Sequence, residues 1–193
     1  MKLKEEYLEN LINTFRLLDF IVFPNNTFPI ITVDCLTGRD GKSMALACFG
    51  EVTTGKTTDK VEGEYQIAKN IKSAKGWDFS EKGIMSIAVH EIRHRVQSEN
   101  PNCLLVEDFI LPRNPSAEGI FKTCRKAYIS IGEKYYQREA DAWIIQSMFE
   151  NFFVRNFNLT EILNYSSDVI SIMRCTPNSY DNLINDLKSR LVK

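Results

Sequence analysis

Apolar residues recur at helical spacing at Tyr7, Leu8, Leu11, Ile12, Phe15 and Leu18, which predicts an amphipathic helix over residues 4–20 with that stripe facing a core. Pro24-Asn25-Asn26 is turn chemistry and ends it. The next apolar segments are short and β-rich. Phe28–Cys35 reads as a strand, with Pro29 placing it at a sheet edge or delaying its start, because proline has no N–H to give a ladder. Met44–Val52 reads as a second strand, and Tyr65–Ile71, where apolar and polar positions alternate, as a third. Short connections favour an antiparallel or mixed sheet. The loop between the first two strands, Thr37–Ser43, ends in Gly-Lys-Ser, but its G-x-x-G-K-S spacing is too short for a phosphate loop. A second polar loop covers 53–60.

The period then returns to that of a helix. Gly76-Trp77-Asp78-Phe79-Ser80 is a turn-like lead-in; Asp78 with Glu81 resembles a capping box, and Ser80 is the alternative N-cap. On a helical wheel Met85, Ala88, Val89, Ile92 and Val96 form one apolar arc, with His90, His94 and Ile87 on the opposite side. A helix of this kind packs on a core behind and walls a cleft in front. Arg93 and Arg95 fall on its flanks and read as solvated charges. Residues 98–118 carry Pro101, Pro112 and Pro115 and read as a long loop that forms a cleft wall or a plain connection. Beyond it the pattern is helical near 117–130, 134–155 and Thr160–Met173. After the break at Cys175-Thr176-Pro177-Asn178, a last helix carries Leu183, Ile184, Leu187 and Leu191. The expected fold is α+β: an N-terminal helix, a small three-stranded sheet, a central histidine-bearing helix and a helical C-terminal half.

Composition narrows the class. A chain of 193 residues, 44% apolar and 25% charged, suits one globular domain over 1–193. A net charge of −1 gives no general drive toward nucleic acid or an anionic membrane. Five cysteines, odd in number and without C-x-x-C, argue against a disulfide framework or a thiolate zinc site and fit a reducing cytosol. With no signal-like apolar core near Met1 and no run of membrane-spanning length, a cytoplasmic location is expected. The oligomeric state is left open.

The chemistry concentrates at His90-Glu91-Ile92-Arg93-His94, which reads H-E-x-x-H. Residues four apart share a helix face, so both imidazoles can address one Zn²⁺. Glu91, about 100° round the helix, is placed to act as general base toward a water in the metal's open position. The chain has two histidines and both are here. For two histidines placed at random, this spacing arises roughly 1% of the time, so the motif is more specific than a loose pattern match. A catalytic zinc needs a third protein ligand. With no other histidine, a carboxylate is the natural donor, and the long helix offers Gln137-Arg138-Glu139-Ala140-Asp141-Ala142-Trp143.

In these two segments and their order the chain resembles the zincin metallopeptidases, in particular the gluzincin-like branch. It is similar there to small intracellular peptidases associated with phages and mobile elements. The resemblance implies a zincin-like fold, a zinc cofactor, a peptide or protein substrate, and a ligating glutamate on the later helix. Glu139 with Ala142 fits the family's E-x-x-A. Counting E-x-x-x-D back from Asp141 lands on Gln137. Asp141 itself falls in the apolar arc of Ile145, Met148, Phe149 and Phe152, where a carboxylate needs a partner. It is either a ligand or a group that orients His90 or His94. Glu139 is the expected ligand, with Asp141, Gln137 and Glu150 as alternatives. The metzincin variant is excluded, because Gln97 and Asn100 stand where it needs glycine and histidine. Tyr128, Tyr135 and Tyr136 read first as packing tyrosines, each also able to offer a hydroxyl to an oxyanion, and a strand of the sheet could pair with an extended substrate. The competing expectation is a zincin-like metal-binding or interaction module without turnover.

Overall fold

The computed structural model describes residues 2–26, 29–34, 36, 47–49, 64–71 and 78–191. The loops at Thr37–Ser43 and 53–60, the Gly76-Trp77 lead-in, and parts of the Phe28–Cys35 and Met44–Val52 strands lie outside the described residues.

Helix α1 (Glu5–Val22) buries Leu11, Phe15, Leu18 and Val22 along one face, and Glu5 and Glu6 place negative charge at its positive N-terminal end. Strands β1 (Ile30–Val33), β2 (Ala47–Phe49) and β3 (Tyr65–Ala68) form a mixed sheet in the order β1-β3-β2. β3 runs parallel to β1, with Ile30 opposite Tyr65, and antiparallel to β2, with Phe49 opposite Tyr65. All four residues of β3 are buried, as a central strand demands.

Helix α2 (Glu81–Glu99) is the centre of the molecule. Ser80 is its N-cap: the hydroxyl accepts from Gly83 N–H, while Ser80 N–H donates to Asp78. Gly83 is required by close approach, because a Cβ there would lie 2.2 Å from the Asp78 carbonyl oxygen. The apolar arc Met85, Ala88, Val89, Ile92 and Val96 is buried in the core. Arg93 and Arg95 are buried too, at 0% exposure, and this corrects their reading as solvated flanks. Each has a buried carboxylate partner from a distant segment. Arg95 pairs with Asp19 of α1 at 2.6 and 2.8 Å, and its guanidinium stacks 3.7 Å above the Phe23 ring. Asp19 also accepts from the Tyr65 hydroxyl at 2.6 Å, so one polar cluster ties α1 and β3 to α2.

The proline-rich stretch after α2 is more ordered than a long loop. Pro101 and Pro115 each open a 3₁₀ turn, where a missing N–H costs nothing, and α3 (Glu107–Ile110) lies between them. Helices α4 (Glu118–Tyr128) and α5 (Glu133–Phe149) follow, α5 packing on both α4 and α2. A π turn, Glu150–Val154, extends α5, with Phe152, Phe153 and Val154 all buried. The expected Thr160–Met173 helix is instead α6 (Leu159–Ile162), a 3₁₀ turn and α7 (Ser166–Met173). α8 (Pro177–Leu191) ends the described chain. One hydrophobic cluster runs from Leu3 to Leu187 and joins both halves around α2 and α5. The α+β class therefore stands, with helices dominating a small sheet. No helix among the described residues is long and apolar enough to cross a membrane.

Candidate metal centre

The two histidines of α2 project toward α5, where Glu139 meets them. His90 Nε2 and His94 Nε2 are 3.2 Å apart. Glu139 Oε2 lies 3.6 Å from His90 Nε2, and its Oε1 lies 3.5 Å from His94 Nε2. His90 and His94 are 9% and 8% exposed, so the triad is nearly buried. Among the described residues, His90, His94 and Glu139 are the group of histidine, cysteine and acidic side chains whose ligand atoms converge, all within 4.8 Å of one another.

These spacings suit a metal. Ligands at about 2.0–2.1 Å from a tetrahedral zinc lie about 3.3 Å from one another. The donor set of two imidazoles and one carboxylate is that of a catalytic zinc site with one open position. Three groups whose lone pairs meet repel unless a cation or a proton lies between them.

The other candidates go elsewhere. Asp141, two residues beyond Glu139, points away from the histidines. It accepts from Arg93 Nε at 2.7 Å and Nη2 at 2.9 Å, from Leu105 N–H at 2.9 Å, and from Gln97 Nε2 at 2.6 Å. Gln137 bonds Glu133 on the exposed side of α5. Glu150 bonds Gln146. Glu91 turns out of the His–His–Glu triangle, and its Oε2 accepts from the Phe49 backbone N–H at 2.8 Å, which sets the carboxylate against the end of β2.

The tyrosines separate as well. Tyr136 is buried, its hydroxyl accepting from Arg125, and its ring carries that guanidinium. Tyr128 ends α4 with its ring on that of Tyr135. Burial pushes the Tyr128 phenol up to about 12, helped by the negative charge of Glu139 and, less, of Glu91. The phenol therefore feels the charge of the site's carboxylates and stays protonated at neutral pH. Cys124, one turn earlier on α4, is likewise pushed up to about 12 by burial and then by Glu139, which keeps the thiol protonated and unreactive at neutral pH. Trp143, one turn after Glu139, sets its ring 4.9 Å from that of His90 and stays 46% exposed, an apolar surface between the triad and solvent.

Two residues of the site were not assigned a role by the sequence. Gln97 stands three residues after His94, on the same face of α2, and its amide meets His94 Nδ1 at 2.9 Å. That spacing was available as a signal. The Phe49 N–H, a backbone group 42 residues from Glu91, left none.

No family model, no curated protein and no solved structure matches the chain.

Proposed function

We propose that the chain is a zinc-dependent hydrolase, a gluzincin-like metallopeptidase with His90, His94 and Glu139 as metal ligands and Glu91 as general base. The observation that carries this reading is the triangle of ligand atoms at 3.2, 3.5 and 3.6 Å, with the motif's glutamate beside it. Zn²⁺, when bound, supplies Lewis acidity toward a carbonyl oxygen and makes water a nucleophile near neutral pH. The side chains do the rest. Glu91, its carboxylate steadied by the Phe49 N–H, takes the proton of the attacking water and passes it to the leaving amine. Tyr128, a protonated phenol, donates a hydrogen bond to the developing oxyanion. β2, an edge strand among the described residues, runs up to Glu91 and suits an extended peptide or protein substrate. Nucleic acid and membrane are not expected partners at a net charge of −1. The buried free thiols of Cys103, Cys124 and Cys175 suit a reducing, cytoplasmic setting.

The test is metal analysis of the purified protein, then cleavage of a peptide pool with and without chelator. The reading expects about one zinc per chain and chelator-sensitive cleavage. A chain that takes up no zinc overturns it. A chain that holds zinc and peptides but shortens none of them is the binding module instead.

A further inference from the structure

Gln97 is buried at the junction of α2 and α5, and its surroundings leave its amide one orientation. One end faces the Arg138 carbonyl oxygen at 2.9 Å and Asp141 Oδ2 at 2.6 Å. Neither of these donates: one is a carbonyl, and the other belongs to a carboxylate paired with Arg93. That end must be the NH₂ group. The other end is then the carbonyl oxygen, which accepts from Arg138 Nε at 3.3 Å and lies 2.9 Å from His94 Nδ1. Only a protonated Nδ1 satisfies that contact. A neutral His94 with hydrogen on Nδ1 has its lone pair on Nε2, the atom facing His90 and Glu139.

We propose that Gln97 is a positioning residue: it holds His94 in the Nδ1–H tautomer and aims the Nε2 lone pair at the Glu139 side, with Asp141 and Arg93 as its anchor. This rests on the zinc reading only for its consequence, a raised metal affinity. Arg93 secures the anchor by donating from Nη1 to the Met173 and Cys175 carbonyls and from Nη2 to the Cys103 carbonyl. His90 has no such support, its buried Nδ1 having no hydrogen-bond partner among the described residues. The two histidines are therefore unequal. Free imidazole favours the other tautomer modestly, so Gln97 sets at His94 what the ring alone would not.

The test is long-range ¹H–¹⁵N correlation on the metal-free full chain at about pH 8, above the ordinary histidine range. With two histidines in the sequence, two imidazoles contribute, and His94→Gln assigns them. The expected wild-type spectrum has a protonated Nδ1 and an unprotonated Nε2 at His94. In Gln97→Met, which keeps the length and loses the amide, the His94 signal moves toward the Nε2–H form while His90 is unchanged. A wild-type His94 protonated on Nε2, or a tautomer unaltered in Gln97→Met, overturns the proposal. The wild-type spectrum decides even if a variant fails to fold. Competition titration then reads the consequence: zinc affinity lower by about 10–100-fold in Gln97→Met. A wild type that binds no zinc removes the metal reading, and the tautomer result still decides the role of Gln97.

Discussion

Arg93 and Asp141, 48 residues apart, form a two-pronged ion pair with both side chains at 0% exposure. Asp141 is thereby occupied as a structural group that reaches His94 through Gln97. Glu139, two residues away, faces the histidines. Their substitutions should have crossed effects. Asp141→Asn leaves Arg93 with a poorer partner in the core and should lower unfolding free energy by up to about 3–5 kcal/mol in urea, as breaking a buried pair does. Its zinc affinity, touched only through Gln97 and His94, should fall by about 10–100-fold. Glu139→Gln should keep nearly full stability and lose more zinc affinity than that. The reverse order in a competition titration makes Asp141 the ligand.

Tyr128→Phe removes the proposed oxyanion donor and leaves the ring on Tyr135. Peptide turnover should fall by about 10²–10³-fold, the usual worth of one oxyanion donor, with zinc content unchanged. Tyr136→Phe, whose hydroxyl contacts Arg125, should leave turnover near wild type. Equal losses in both variants remove Tyr128 from the mechanism.

Burial raises several acidic groups of the helical half, among them Cys124 and Tyr128 to about 12 and Cys175 to about 11. A raised folded-state value means that the folded chain holds the proton more tightly than the unfolded chain. The associated stability is fully present below about pH 9, the ordinary thiol value, and is lost as pH climbs through 11 to 12. Urea midpoints should therefore be flat up to about pH 9 and fall above it. Alkylation of Cys124 and Cys175 at about pH 8 should be slow in the folded protein and fast in denaturant. Equal rates in both conditions contradict the burial account.

Much of this architecture is legible in the residues because it is local. The α1 stripe, the apolar arc of α2 and the H-E-x-x-H spacing depend on positions within a few turns of one another. The expected helix over 4–20 is Glu5–Val22 in the structure, and the reading of Tyr65–Ile71 contains β3. Other features depend on partners far along the chain. Arg95 finds Asp19 at a separation of 76, and Arg93 finds Asp141 at 48, so a wheel drawn on α2 alone puts both arginines in solvent. The β1-β3-β2 order, with β1 parallel to β3, likewise needs a crossing that no local pattern encodes. The proline-rich stretch misled for a different reason: Pro101 and Pro115 begin short turns rather than prevent them. Residues two apart on a helix face about 200° apart, and the wheel already set Asp141 in the apolar arc; what it could not give was the partner of that buried carboxylate, Arg93, which leaves Glu139 to the histidines.

Glu91→Gln separates a base in the proposed zinc-dependent hydrolysis from a carboxylate that only braces β2. Glutamine keeps the shape and an oxygen to accept from Phe49 N–H, so fold, β2 contact and zinc content should match wild type. It has no carboxylate to take a proton at neutral pH. Turnover of a peptide substrate identified with the wild type should fall by about 10²–10⁴-fold, roughly 3–5 kcal/mol on the barrier. A zinc-loaded Glu91→Gln variant that cleaves at the wild-type rate would contradict the account.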